Sequence, residues 1–340
     1  KRLNALDRII GYYQPTVNMP GVDLTQLVTG ITYPNSTYIG NAFAPADEYT
    51  VDVELQDQPF YPLGVDLKSI IWNGLVYIAG SDAETYSAFN VSADASNWTI
   101  NKLSNQPLSI TDLIYAGGSY VITTNNNSTP ILISDDGYTW SSTGAFNVPA
   151  ESLNNITYQN GIYVAVGQNI VTSTDLNTWT ERYAFTNGLT NIFNGVCYAS
   201  TAGFTGYIAI GLGQQVVGDT AVNVAIIYTS LDAFTWTQVT FTATSLGFNS
   251  IAANSQTIVA VGDDGIIYTS FNGTTWFVQS STVANTLNHI IWDNYNSRFV
   301  AVGDNGTILT GTNNGITWTS QTSGVASTLE SVVWNNTALQ

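Results

Sequence analysis

The chain has 340 residues, with 24 Asp and Glu against 7 Lys and Arg, for a net charge of −17. So few cations leave no basic patch to neutralise phosphates, which argues against nucleic acid or an anionic membrane surface as a partner. A single histidine and a single cysteine exclude multi-ligand Cys/His metal sites and an intrachain disulfide.

Residues 1–66 carry no repeat and read as an N-terminal attachment arm and linker. The stretches 3–13 and 23–29 have short-helix patterns, the second stopped by Gly30. From Asn41 to Asp66 the chain reads as extended, with Asp47, Glu48, Asp52, Glu54, Asp57 and Asp66 and no base. Its low apolar content is expected to make it pack on another protein.

From Leu67 onward one pattern, Ser/Thr-x-Asp/Asn-x-x-Thr/Asn-Trp, returns six times. Its tryptophans, Trp98, Trp140, Trp179, Trp236, Trp276 and Trp318, are 42, 39, 57, 40 and 42 residues apart. A period near forty marks copies of one small unit. Each copy divides into four β segments. The second is a continuous apolar run ending in Gly, as at 163–167, 258–262 and 299–303, and suits a strand buried on both faces. Asp-Gly and Asn-Gly at 264–265 and 305–306 supply hairpin turns between the second and third segments. The prediction is an all-β chain: a β-propeller of four-stranded antiparallel blades at about 67–107, 108–150, 151–188, 189–245, 246–286 and 287–328. A partial copy at 329–340 points to seven blades, with six as the alternative, and leads to the expectation that the native chain continues past Gln340.

Within each repeat the acid or amide (Asp94, Asp136, Asp175, Asp232, Asn272 and Asn314) is expected to cap backbone groups in the turn between segments three and four. The Trp packs beneath it. This role is structural.

Candidate binding residues are fewer. Asp263, Asp264 and Asp304 lie in turns between segments two and three. The plain reading is turn formation, and the alternative is a sugar or calcium contact. The 57-residue gap places extra length at 200–206 and chiefly at 211–225. Loops on a rigid scaffold often carry recognition, which singles out Gln214, Gln215 and Asp219. His289 aligns with Ser69 and Asn249 and is expected at a surface or rim. Cys197, in an apolar stretch, reads as a buried inert thiol. No metal site and no cofactor is expected.

The repeated motif resembles the Asp-box of sialidase-like and related propellers, among them photosystem II assembly factors. That likeness covers about 67–340 and implies boxes on the face away from any active site. A sialidase is excluded because its substrate clamp takes three arginines and the propeller holds only Arg182 and Arg298. Assembly factors of that type use a basic patch, which this chain lacks. The run from Arg8 to Leu24, Arg-Ile-Ile-Gly-Tyr-Tyr-Gln-Pro-Thr-Val-Asn-Met-Pro-Gly-Val-Asp-Leu, with Gly-Ile-Thr-Tyr-Pro at 30–34, is similar to attachment segments of large tailed-phage virion proteins. That resemblance implies a non-enzymatic virion structural protein, multimeric and on the particle exterior. Its arm would hold other virion proteins, and its propeller would serve as a binding or assembly module on a tail or fibre appendage, facing a host surface glycan or protein. The alternatives are a glycan-cleaving depolymerase using carboxylates such as Asp263 and Asp304, and a secreted assembly factor.

Overall fold

The computed structural model describes residues 67–334 apart from 82–86, 105–107, 143–151, 186–188 and 242–244, and also the strands within 16–52. The chain divides into two units, Lys1–Val65 and Asp66–Gln340. In the first, Ile39–Ala44 and Asp47–Asp52 form an antiparallel hairpin, with Thr16–Val17 parallel to its first strand. A hairpin therefore replaces the extended chain expected after Asn41. The helices expected at 3–13 and 23–29 lie outside the described residues.

The second unit is a β-propeller. Its described residues form six four-stranded antiparallel sheets, each with its strands in chain order. The first strands are Leu67–Trp72, Ile110–Ala116, Leu153–Gln159, Ile192–Ser200, Phe248–Ala253 and Leu287–Asp293. Successive first strands adjoin one another and so line the central channel. The second strands are buried along almost their whole length, as in Ile162–Gly167 and Ile258–Gly262, because neighbouring blades cover both faces. Five apolar cores fill the joints between consecutive blades. In the last of them Val259, Val261 and Ile267 of blade five meet Leu287, Ile290 and Phe299 of blade six. A cross-strand aromatic pair, such as Tyr115–Tyr120 or Tyr158–Tyr163, closes the first hairpin of several blades. The hydroxyls of Tyr163 and Tyr207 then donate to Ala116 O and Gln159 O of the preceding blade.

After blade six, the segment 329–334 repeats the contacts of a first strand. Leu329 N donates to Gly303 O at 3.0 Å, and Trp334 stacks on Tyr295 with ring centroids 6.0 Å apart. It thus occupies a seventh inner position beside six complete blades.

Candidate functional site

Every first strand begins with the same irregularity. Its register against the second strand slips by one residue between Leu67 and Ser69, Ile110 and Asp112, Leu153 and Asn155, Phe193 and Gly195, Phe248 and Ser250, and Leu287 and His289. Such a bulge leaves one residue unpaired and re-aims its side chain. The repeated glycine ending the second strand fits the same crossing. A Cβ on Gly262 or Gly303 would fall 2.0 Å from the carbonyl oxygen of Gly247 or Thr286, so only glycine admits this approach.

The bulged residues are Lys68, Thr111, Asn154, Asn194, Asn249 and Asn288, and Glu330 holds the equivalent place after blade six. The five from Thr111 to Asn288 reach the backbone of the blade or segment that follows. Thr111 Oγ1 donates to Leu153 O at 2.6 Å, and Asn154 Nδ2 to Phe193 O at 2.9 Å. Asn194, Asn249 and Asn288 donate in turn to Phe248 O, Leu287 O and Leu329 O at 2.9, 3.2 and 3.2 Å. Lys68 Nζ meets Glu330 Oε1 at 2.6 Å and joins the first blade to the segment after the last. The following position adds a second tier. Asp112 Oδ2, Asn155 Oδ1, Ser250 Oγ and His289 Nδ1 accept the N–H of Ile156, Val196, Ile290 and Val332. Together the two tiers line a channel mouth of about 300 Å³.

Asp112 is the most heavily bonded group there. Ser69 Oγ, Leu113 N, Asn155 Nδ2 and Ile156 N all donate to it. Burial nevertheless raises its carboxyl to about 6, against the pull of those donors. His289 is driven the other way: burial lowers its ring to about 4, and Nδ1 stays unprotonated to accept from Val332. His289 thus lies on the channel wall, in register with Ser69 and Ser250, while Asn249 matches Asn288. The alignment with Asn249 was one residue out, since Ser250 holds the corresponding place in blade five.

The turn carboxylates lie in the hairpins between second and third strands, as in their plain reading, and Asp263 and Asp304 also brace them. Asp263 Oδ2 accepts Gly247 N at 2.9 Å and its Oδ1 accepts Asn249 Nδ2 at 3.1 Å. Asp304 Oδ1 accepts from Asn288 Nδ2 and Thr328 Oγ1. Both acids therefore steady the bulge residue of their own blade. Asp264 is exposed at φ +52°, followed by Gly265 at +72°, and Ile266 N returns to Asp263 O, the mirror-image turn that Asp-Gly favours.

The extra length of blade four forms one continuous hairpin, Thr205–Val217 with Thr220–Ser230. Gln214 exchanges hydrogen bonds with the segment before blade four: Thr190 N donates to its Oε1, and its N–H donates to Asn191 Oδ1. Gln215 and Asp219 are exposed on the ribbon and at its tip.

At the opposite end of the blades, the Asp-box turns behave as expected in five copies. Asp94 Oδ1 accepts Ser96 N and Asn97 N at 2.8 and 2.7 Å, and these donors hold its carboxyl down to about 2. Asp136, Asp175, Asp232 and Asn272 do the same two and three residues on. Trp179, Trp236, Trp276 and Trp318 are buried and donate Nε1–H to the carbonyl three residues back. Trp98 and Trp140 are half-buried, and Trp140 Nε1 has no hydrogen-bond partner among the described residues. The sixth copy departs. Asn313 and Asn314 take φ of +49° and +57°, pairing closes to Thr312–Thr317, and Asn314 Oδ1 accepts from Asn254 of blade five instead of capping its own turn. Cys197 is half-buried and its thiol is pushed up to about 12 by burial, consistent with an inert group. Both propeller arginines are engaged, Arg298 with Asp293 at 3.1 Å and Arg182 with Thr172 and the Phe234 ring.

The channel ring was missed in the sequence, although its signal is present. Leu-Asn-Asn-Ile, Phe-Asn-Gly-Val, Phe-Asn-Ser-Ile and Leu-Asn-His-Ile form a polar column at the head of the first strands of blades three to six.

No protein-family model and no curated protein matches the chain. Solved structures do. A structure described as YCF48 bound to D1 peptide is similar at a TM-score of 0.54 and 14% identity, covering 76% of this chain and 81% of that one. YCF48 from Cyanidioschyzon merolae matches at 0.52 and 14%, covering 78% and 88%. The computationally designed Ika8 protein matches at 0.51 and 10%, covering 78% and 90%. At these identities the likeness concerns the fold, and it bears out the propeller read from the repeats.

Proposed function

We propose that the propeller is a non-enzymatic binding and assembly module whose partner is a protein. The observation that carries this reading is the state of its polar groups. The carboxylates suited by position to glycan cleavage, Asp263 and Asp304, are bonded within their own blades. The ring at the channel mouth bonds blade to blade. A similar propeller with a bound peptide supports a polypeptide ligand. Display from a phage particle through the N-terminal arm is the proposed setting. It rests on the run from Arg8 to Leu24 and on a surface rich in Asn, Thr and Ser with few charges.

The test is a parallel assay of the full chain against arrayed peptides and purified bacterial surface polysaccharide. Saturable peptide binding without new reducing ends is the expected outcome. Release of reducing ends that Asp263→Asn or Asp304→Asn abolishes would overturn the reading in favour of a depolymerase.

A further inference from the structure

The hairpin of blade four differs from the other described hairpins at the channel end. Its strands stay paired without a bulge from Tyr207–Ser230 up to Val217–Thr220, well past Gly211, where the corresponding strands of blades three, five and six turn. The fourth strand, Thr237–Gln238, follows it only at Tyr228 and Thr229, and Val239 N then donates to Ile227 O. Antiparallel strands alternate their bonding sides. Since Ile227 faces outward, Ala225, Asn223 and Ala221 face outward too, while Val224 and Val222 bond within the hairpin. Phe241 packs against the core around Ala225. Beyond it, Ala221 and Asn223 are exposed, and among the described residues no strand pairs with them.

The other edge of the ribbon is guarded. There Asn191 Oδ1 takes the outward N–H of Gln214 at 2.9 Å. The Ala221–Asn223 side has no such cap. Natural edge strands are usually blunted by charge, proline or a bulge. Between 211 and 225 there is no proline and the single charge is Asp219 at the tip. One face of the ribbon carries Val217 and Val222, with Val217 57% exposed, while Val224 on the same face packs against the core between blades three and four.

We propose that the edge at 220–224 is a docking strand that takes an extended, uncharged, β-branched segment of a partner protein by strand addition. The inference rests on the protein-partner reading and names its surface. Exposed backbone donors and acceptors in strand register match an extended polypeptide, and the valine face offers apolar contact to alternate side chains. A second copy of the chain is disfavoured as occupant because each copy carries a net charge of −17.

The test measures amide hydrogen exchange across the full chain with an end-blocked hexapeptide of alternating Thr and Val. At ten times its Kd, exchange at Ala221 and Asn223 is expected to slow by about tenfold, with Val222 and Val224 already protected. Asn223→Pro, which removes an outward N–H and no hairpin bond, should abolish binding, as should Ala221→Lys. Continued protection of Val222 and Val224 in both variants confirms that the hairpin is intact. Hexapeptide binding that leaves Ala221 and Asn223 unprotected, or survives both variants, overturns this edge but not the partner reading. Failure of the chain to bind any peptide overturns both. Protection that rises with protein concentration alone, with dimers in sedimentation, would replace the partner segment by a second copy.

Discussion

Four donors converge on Asp112, yet burial holds its carboxyl up at about 6. That value lies above the ordinary one near 4. The contribution of Asp112 to stability is therefore whole below about pH 4 and is lost as pH rises through 6. His289 has the opposite sign. Its ring is lowered to about 4, so its contribution is present above about 6.5 and lost as pH falls through 4. Asp112→Asn should remove the decline between pH 4 and 6. It should also cost about 1–3 kcal/mol, because an amide nitrogen then faces a donor. Urea unfolding of both proteins at pH 4.5 and 7 measures the two effects. Residues of the Asp boxes were legible in the sequence because their donors lie two and three residues away. Asp112 was not, since three of its four donors, from Ser69, Asn155 and Ile156, belong to neighbouring blades. Asn314 matched the motif but not the role, because two successive left-handed residues made a tighter turn.

Among elements, the second strands were read most accurately. Burial on both faces makes them uninterrupted apolar runs, and those of blades three, five and six end at a glycine for a steric reason. Gly303→Ala places a methyl 2.0 Å from Thr286 O and must shift backbone. The expected cost is about 1–3 kcal/mol in thermal or urea unfolding. A Tm equal to wild type would show that the bulge yields freely. The long hairpin of blade four was visible as a 57-residue gap, though its regular pairing was not, because Gly and Gln interrupt the strand pattern. The bulges were invisible for another reason. A slip of one position in a six-residue strand leaves no trace in alternation, and only superposing all the repeats exposes the polar column it creates.

For the whole propeller, the caps distribute acid sensitivity unevenly. Asp94, Asp136, Asp175 and Asp232 are held below the usual carboxylate range by backbone N–H donors. Their stabilising effect is present above about pH 4 and is lost as pH falls through their lowered values. Blades five and six carry Asn272 and Asn314 in this turn instead, though blade six keeps Asp293, whose carboxyl is held down by donors from Asn296 and Arg298 against the opposing effect of burial. Between pH 4 and 2, amide exchange should rise first in blades one to four and last in blade five. Uniform loss of protection would contradict this gradient. The repeat made the architecture legible at this scale. The first-strand motif at 329–334 also marked a seventh inner position, but the Lys68–Glu330 contact could not be read, because neither residue resembles the asparagines that hold the other joints.

That ion pair bears on how the chain reaches its fold. The other joints of the ring connect residues 38 to 54 positions apart, so each can form once two adjacent blades exist. Lys68 and Glu330 are 262 positions apart. Closing so long a loop costs more entropy than closing any single joint, and the contact pays off only when the intervening blades are already in place. The ring is therefore expected to grow by neighbour-to-neighbour addition, with the meeting of lysine and glutamate as its last event.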